Sequence, residues 1–507
     1  MPTTRRQQGK YYSGFDENTS TGGTGTNNFW KKVQKRLVLN PKPTLYLTND
    51  IKTAAIGMLC KNSGLKINQC LEKFSHSYLL NELFQFNKFN NVTFIKKLGK
   101  TSANGFVYGI NYNEPRFNLS SNAILKSSRK RNADNLVYEY WAGLFINKIC
   151  DYFPCFLQTY GLYKYGNEEI WKRASAEKVD NASFLKQLVN VCSTYDKHGK
   201  FSDSECEPTD ICNSAQLFSI LVQYVEKPKS MFDYILSEEC NSYELNCILF
   251  IIYMALDRLK DEFTHYDFHD ENCLVYSPYD KYIHYQYYPG DGKPTIEFYT
   301  KFVPKIIDYG RAYYRGNDSV IKKLHEEDLY SDCNEKNRHN TFTQRAGAMS
   351  GFGSLTNCTT GKPHDNDYIC SNIPNRSHDL RLLHLIQTTP DYIKQKTCPH
   401  LKGYPEKFDA NATSLRLKNI LSDVFRENTT VSYGYKNKKG ADLDMGTPEK
   451  MTAEKGKIVN ISDAHEHFKN YLLRRSPVPA ELVPPQDEIA GEMHVYYHEK
   501  PIIFRKR

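Results

Sequence analysis

Residues 265–275 read His-Tyr-Asp-Phe-His-Asp-Glu-Asn-Cys-Leu-Val, and residues 305–310 read Lys-Ile-Ile-Asp-Tyr-Gly. Asp267, Asn272 and Asp308 in these two motifs carry oxygen atoms that bind divalent cations or accept protons. In a tight loop, the asparagine side chain turns back toward an ion that the later aspartate also reaches. The two motifs therefore predict one polar site built from separate segments, and they decide which fold we expect.

Upstream, residues 94–108 predict a strand, a turn of small residues and a second strand. Backbone N–H groups of such a turn can bind phosphate oxygens. Gly99, Ser102 and Gly105 are the candidate phosphate-binding residues, and Val107 is a candidate for covering a nucleotide base. A loop of this composition is weak evidence when it stands alone.

A short apolar strand, residues 122–125, ends in Lys126, and a helical pattern follows over residues 132–149. Glu139 lies beside the apolar stripe of that helix. A carboxylate at this position can fix the ammonium of Lys126, whose long side chain is otherwise mobile. The simpler alternative is that both residues are solvated surface charges.

Aromatic and branched residues predict two further strands over residues 153–163 and 215–225. The polar segment between them, about 164–213, predicts a surface insertion. A strong helix is predicted to begin near Asn241, where Asn241 and Glu244 form a capping-box pattern. Ser377 or Asp379 is the predicted cap of a later helix.

The motifs HYDFHDEN and DYG resemble the catalytic loop HRDLxxxN and the metal loop DFG of the protein-kinase-like superfamily. The resemblance implies a two-lobed α+β fold, with a small antiparallel-sheet lobe carrying one key helix and a larger, mainly helical lobe. It also implies ATP and Mg²⁺ as cofactors. Asp267 would handle the acceptor hydroxyl, and Asn272 and Asp308 would hold the metal. The implied activity is that of a serine/threonine protein kinase acting on a protein substrate.

Other segments match the superfamily in part. Lys126 and Glu139 correspond to its phosphate-binding ion pair. In the loop pattern GxGxxGxV, only Gly105 and Val107 are in register, because Ser102 replaces the middle glycine and Gly99 is displaced by one residue. These matches extend the resemblance over both predicted lobes.

Two more matches concern the nucleotide base and the support of the catalytic loop. Tyr224 and Val225 resemble the hinge whose main chain binds the adenine edge. Asp379 resembles the aspartate that accepts hydrogen bonds from the catalytic-loop backbone. Tyr266 replaces the family arginine, and no Ala-Pro-Glu motif follows. Because the usual receptor for an activation-loop phosphate is missing, we expect constitutive activity.

Alternatives remain open from the sequence. The pattern formed by His265, Asp267, His269 and Asn272 also resembles the HGDxHxxN loop of aminoglycoside and choline phosphotransferases, which act on small molecules. The long insertions and the share of Tyr, Lys and Asn resemble divergent kinases of large DNA viruses. A pseudokinase scaffold is a third interpretation, and zinc binding by His265 and His269 is a fourth.

The resemblance divides the chain into five parts. It does not determine the oligomeric state. We predict a disordered tail over 1–29, a helical extension over 30–90, the small lobe over 91–226, the large lobe with a long activation segment over 227–430, and a partly mobile C-terminal extension over 431–507. Cysteine and histidine residues within or after the activation region are possible zinc ligands, namely Cys358, Cys370, Cys398 and His400.

Composition supports a reduced, intracellular, soluble protein, located in host cytoplasm or a virion if the chain is viral. The 14 cysteines include no C-x-x-C pair, which favours free thiols over a disulfide framework. The net charge of +9 comes from scattered basic residues, so no specific nucleic-acid partner is predicted. No apolar run has the length of a membrane span.

Overall fold

A computed structural model describes part of the 507-residue chain. The described residues are 89, 92–98, 105–114, 119–128, 136–147, 149–150, 152–176, 188–190, 217–290, 292–315, 374–394, 409–425, 429–431, 457–496 and 502–506. The predicted tail over 1–29, nearly all of the predicted extension over 30–90 and the four possible zinc ligands lie outside them.

The described strands are numbered in chain order. They are β1 (Val92–Leu98), β2 (Gly105–Glu114), β3 (Leu119–Ser128), β4 (Thr159–Tyr165), β5 (Leu188–Asn190), β6 (Phe218–Gln223), β7 (Lys229–Ser230), β8 (Phe263–Thr264), β9 (Cys273–Tyr276), β10 (Tyr282–Tyr288), β11 (Ile296–Thr300), β12 (Val303–Ile306), β13 (Tyr313–Tyr314), β14 (Thr430–Val431), β15 (Lys457–Ile458), β16 (Ile489–Tyr496) and β17 (Ile503–Lys506).

The described α-helices are numbered likewise. They are α1 (Leu136–Asn147), α2 (Glu168–Ser175), α3 (Met231–Leu236), α4 (Ser242–Arg258), α5 (Arg381–Lys394), α6 (Ala410–Phe425) and α7 (Ile461–Leu473). The predicted mixed α+β class is confirmed. None of these helices combines the length and the apolarity needed to cross a membrane.

The N-terminal half of the described chain forms a six-stranded antiparallel sheet in the order β1-β2-β3-β6-β4-β5. β2 and β3 pair from Gly105 opposite Ser128 to Glu114 opposite Leu119. This register places Val107 directly opposite Lys126, so both side chains lie on the same face of the sheet.

The polar segment about 164–213 is not wholly an insertion outside the sheet. Within it, α2 begins after Asn167, whose side chain accepts a hydrogen bond from the Ile170 N–H, and β5 pairs with β4. The β5 residues Leu188–Asn190 are too short a run to show an alternating pattern in sequence. Helix α2 lies at the surface, with only Ala174 buried, whereas β5 extends the sheet at its edge.

Helix α1 packs against the six-stranded sheet through a glycine. A Cβ atom on Gly143 would lie 2.1 Å from Thr159 Oγ1 and 2.7 Å from Thr159 Cβ, so only glycine permits this approach. The Asn147 side chain donates to the Thr159 carbonyl at 2.6 Å and accepts from the Thr159 N–H at 2.9 Å. These contacts set the position of Glu139 on α1.

Helix α4 is the centre of the C-terminal part, and most of its residues are buried. Asn241 caps it as predicted, since its side chain accepts from the Glu244 N–H at 2.9 Å. Glu244 does not complete the capping box: its buried carboxylate accepts a hydrogen bond from the Thr300 hydroxyl instead. A carboxylate removed from water needs a hydrogen-bond partner, and the Thr300 hydroxyl at the end of β11 supplies one.

The sequence Pro-Gly-Asp-Gly at 289–292 is typical of a hairpin turn. The strands on either side of it, β10 and β11, pair in antiparallel register. β16 pairs in parallel with β10 and antiparallel with β17, giving a four-stranded sheet in the order β11-β10-β16-β17. α7 packs on α4, where Asp257 accepts hydrogen bonds from Ser462 and, at 2.8 Å, from His465. Much of the segment 431–507 is therefore an integral part of the core.

Candidate active site

The loop from His265 to Asn272 connects β8 to β9 and is closed by its own hydrogen bonds. The Asn272 side-chain amide donates from Nδ2 to the Asp267 carbonyl at 2.9 Å. Tyr266, which is fully buried, has a φ of 62°, in the left-handed region. Because the Asn272 nitrogen is used within the loop, its Oδ1 atom is the part of the side chain suited to a cation.

The Asp379 carboxylate holds this loop in place by accepting hydrogen bonds from the loop backbone. Its Oδ2 accepts from the His265 N–H at 2.7 Å, and its Oδ1 accepts from the Tyr266 N–H at 3.0 Å. Burial raises the pKa of Asp379 to about 7, opposed by these two hydrogen bonds. The predicted contact with the loop backbone is confirmed, whereas Ser377 makes no side-chain capping bond.

His265 is buried within the same loop. Burial lowers its pKa to about 4, so the ring is neutral near pH 7. Its Nδ1 accepts from the Asp267 N–H at 3.3 Å, and its Nε2 therefore donates to the Ile307 carbonyl at 2.8 Å. The ring joins the loop to the residue before Asp308.

Lys126 links three distant segments. Its ammonium Nζ lies 2.7 Å from Glu139 Oε2 on α1 and 3.1 Å from Asp308 Oδ1. The Glu139 side chain is 6% exposed, so solvent does little to weaken its ion pair. The alternative that Lys126 and Glu139 are solvated surface charges is wrong.

Asp308 has a φ of 66°, a strained conformation for a residue with a side chain. Partial removal from water would raise the pKa of its carboxyl, but the Lys126 ammonium and, less strongly, Arg311 lower it to about 2. The Ile307 N–H donates to the Asn272 carbonyl at 3.1 Å, which holds Asn272 next to the segment that carries Asp308. The two chain segments that carry the predicted cation-binding residues are thus hydrogen-bonded to each other.

Asp267 is paired with two arginines that the sequence reasoning missed. Arg311 Nη1 lies 2.8 Å from Asp267 Oδ2, and Arg381 Nη1 lies 3.1 Å from Asp267 Oδ1. Arg311 directly follows the Asp-Tyr-Gly motif, and Arg381 lies two residues after Asp379. This adjacency to two motifs was the signal available in the sequence.

The structure describes some of the other predicted site residues and not others. Gly105 and Val107 lie in β2, beside the strand that carries Lys126, whereas Gly99 and Ser102 lie outside the described residues. Tyr224 and Val225 follow β6, the neighbour of β3 in the sheet. They are therefore one strand away from Lys126.

Metal binding by histidine has no support within the described part of the chain. There, no group of three or more His, Cys, Asp or Glu side chains is arranged to hold a metal ion. His269 Nδ1 instead accepts from the Glu271 N–H at 3.2 Å. A site built from Asn272 and Asp308 has too few protein ligands for zinc, but it suits Mg²⁺, which keeps water and substrate oxygens as ligands.

Comparison with known proteins finds no matching family model and no curated sequence with significant similarity. What the chain does must therefore be inferred from the geometry of these residues.

Proposed function

We propose that this protein is an ATP-dependent phosphotransferase with a two-lobed kinase-like fold, most consistent with a serine/threonine protein kinase. The observation that carries the proposal is the position of Lys126, whose ammonium contacts both Glu139 and Asp308. These residues come from a strand, a helix and a loop widely separated in sequence. A lysine held this way, beside a cation-binding carboxylate, is suited to orienting nucleotide phosphates.

In this proposal the nucleotide lies along the face of the sheet shared by Val107 and Lys126. Val107 covers the base, and the main chain of Tyr224 and Val225 binds its edge. The Lys126 ammonium contacts the α- and β-phosphates, and Glu139 keeps it from moving with its four methylene groups. The six-stranded sheet with α1 corresponds to the small lobe, and the part built on α4 corresponds to the large lobe.

Asn272 Oδ1 and the Asp308 carboxylate would hold Mg²⁺. The low pKa of Asp308 keeps this ligand ionised throughout the physiological range. When bound, the ion neutralises charge on the phosphate oxygens. The hydrogen bond from Asn272 to the Asp267 carbonyl fixes the spacing between the metal-binding and acceptor-binding parts of the loop.

Asp267 orients the acceptor hydroxyl. The acceptor oxygen bonds to the γ-phosphorus as the bond from that phosphorus to the β,γ-bridging oxygen breaks. ADP leaves, and the hydroxyl proton passes to Asp267 or to an oxygen of the transferred group. Arg311 and Arg381 both pair with this carboxylate and hold it in place to position the acceptor hydroxyl.

A small-molecule phosphotransferase is the second candidate. It is favoured by His269, whose Nε2 lies 4.0 Å from Asp267 Oδ1 in the pattern shared with aminoglycoside and choline phosphotransferases. An acceptor panel separates the two candidates. Purified full chain with labelled Mg·ATP is offered casein, basic proteins, amino alcohols and sugars, and the labelled product identifies the class of acceptor.

The decisive variant is Asp267→Asn, with Asp261→Asn as its matched control. Asp261 lies just before the loop, is half exposed and pairs with Arg376. We expect D267N to lose roughly 10²-fold or more in turnover while it retains nucleotide binding, and D261N to keep normal turnover.

Thermal unfolding with Mg·ATP tests binding independently of the acceptor. A ligand at a hundred times its dissociation constant stabilises the folded state by about 2.7 kcal/mol. No stabilisation by Mg·ATP would sink the proposal. Stabilisation without transfer to any acceptor would support a scaffold instead.

A further inference from the structure

We infer that Arg311 contacts the γ-phosphate of the bound nucleotide and so distinguishes ATP from ADP. This inference rests on the proposed function. It is carried by the ion pair between Arg311 and Asp267 and by the place of Arg311 in the chain, three residues after Asp308.

The first step is geometric. The Ala312 N–H donates to the Tyr309 carbonyl at 3.0 Å, forming a turn just after Asp308 that contains Arg311. From this turn the guanidinium reaches Asp267, with Nη1 at 2.8 Å from Oδ2. Arg311 therefore pairs with the carboxylate of the first motif although it lies only three residues after Asp308 in the chain.

The second step is electrostatic. In phosphoryl transfer the γ-phosphorus lies between the acceptor oxygen at Asp267 and the oxygens that face the metal at Asp308. Negative charge on the transferred group is best stabilised by a cation already fixed there. The Lys126 ammonium forms an ion pair with Glu139, whereas the Arg311 guanidinium forms one with Asp267, the carboxylate that faces the acceptor.

The third step is the contrast with Arg381. Its Nη1 lies 3.1 Å from the other oxygen of Asp267, and it begins α5, just after the segment in which Asp379 supports the loop. Arg381 thus approaches Asp267 from the loop-supporting side, while Arg311 comes from the segment that carries Asp308. The two arginines can therefore be compared directly. We expect Arg311 to contact the γ-phosphate and Arg381 to position Asp267.

The test measures dissociation constants for Mg·ADP and for Mg·AMP-PNP, a non-transferable ATP analogue, by calorimetry with the full-length chain. In Arg311→Met we expect AMP-PNP binding to weaken roughly tenfold or more, while ADP binding stays within about twofold. Arg311→Lys keeps the charge and should restore part of the difference. Arg381→Met should leave the ratio of the two constants unchanged.

Asp267→Asn provides a second measurement that does not depend on the folding of an Arg311 variant. It keeps the guanidinium but removes its carboxylate partner, so preference for AMP-PNP over ADP should persist or increase. An unchanged ratio in R311M, or loss of the preference in D267N, would overturn the role of Arg311. Failure of the unmodified chain to bind either nucleotide would instead overturn the proposed function.

Discussion

Individual carboxyl groups in this protein have pKa values that are shifted in opposite directions. Asp308 lies beside a lysine and an arginine and has a low pKa, whereas the buried groups Glu244 and Asp379 have raised pKa values. Burial raises the pKa of all three carboxyls, but only at Asp308 is that effect outweighed, by the charges of Lys126 and Arg311. Charge at the candidate site is therefore compensated, and charge in the supporting core is costly.

Glu244→Gln should change how stability depends on pH. Burial raises the pKa of Glu244 from its ordinary 4.5 to about 7. Since the folded-state pKa is the higher one, protonated Glu244 contributes stability that is fully present below pH 4.5 and is lost as the pH rises through 7. Glutamine does not titrate, so the variant lacks this loss. Between pH 5 and pH 8, the free energy of unfolding should therefore shift in favour of the variant, relative to the unmodified chain, by about 1 to 3 kcal/mol. Urea unfolding at both pH values measures it, and parallel curves would contradict the assignment.

Asp379→Ala should loosen the loop that carries Asp267. The substitution removes the acceptor of the His265 and Tyr266 N–H groups, which leaves two buried donors unsatisfied at a cost of about 2 to 4 kcal/mol. Asp379→Asn keeps one acceptor oxygen and should have an intermediate effect. Hydrogen exchange at these two amides is the direct measurement. Unchanged protection in the alanine variant would show that another group holds the loop.

At the scale of elements, the contact between α1 and β4 determines whether Glu139 reaches Lys126. Gly143 allows α1 to approach Thr159, and Asn147 fixes the same two elements by two hydrogen bonds. The ion pair at the candidate site therefore depends on a packing contact that involves neither of its members.

Gly143→Ala should displace α1 and weaken nucleotide binding together with stability. The new Cβ would meet Thr159 Cβ at 2.7 Å, and no side-chain rotation moves that atom away. Overpacking of this kind typically costs about 1 to 3 kcal/mol. The control is Gly109→Ala, whose new Cβ would meet only the end of the Leu98 side chain, at 3.3 Å. Thermal unfolding and Mg·ATP titration of both variants test this, and equal behaviour would exclude a special role for Gly143.

Local features of the elements were predictable because their causes lie close together in the sequence. The Asn241 cap, the β10–β11 hairpin and the helix carrying Glu139 each follow from residues a few positions apart. The arginine partners of Asp267 were not predictable, because a long cationic side chain has no periodic pattern and its partner is fixed only by folding. The second half of the predicted capping box was wrong for a related reason: Thr300 lies far along the chain from Glu244.

At the scale of the whole molecule, residues 457–496 and 502–506 complete the core around α4 and β10. β16 lies between β10 and β17, and the Met493 side chain on it is fully buried. The mobile connection expected within 431–507 falls mainly on residues outside the described ones. Parallel pairing over such a distance leaves no local signal, so the sequence suggested an extension where the structure has a central strand.

Met493→Asp should unfold or strongly destabilise the protein. It places an unpaired charge at a fully buried position, which costs about 3 kcal/mol or more. Leu415→Asp is the control, because Leu415 on α6 is 62% exposed and its replacement should cost about 1 kcal/mol or less. Chemical denaturation compares the two. A small effect at Met493 would mean that β16 is dispensable for the fold.

The parallel pairing of β16 with β10 has a consequence for biosynthesis. Ribosomes release residues 282–288 long before residues 489–496, so the newly made β10 waits with an uncovered edge on the side that β16 later occupies. An open edge of this kind recruits strands from other chains. Nascent protein stalled before residue 489 should therefore depend on chaperones to remain unaggregated, and completion of translation should end that dependence.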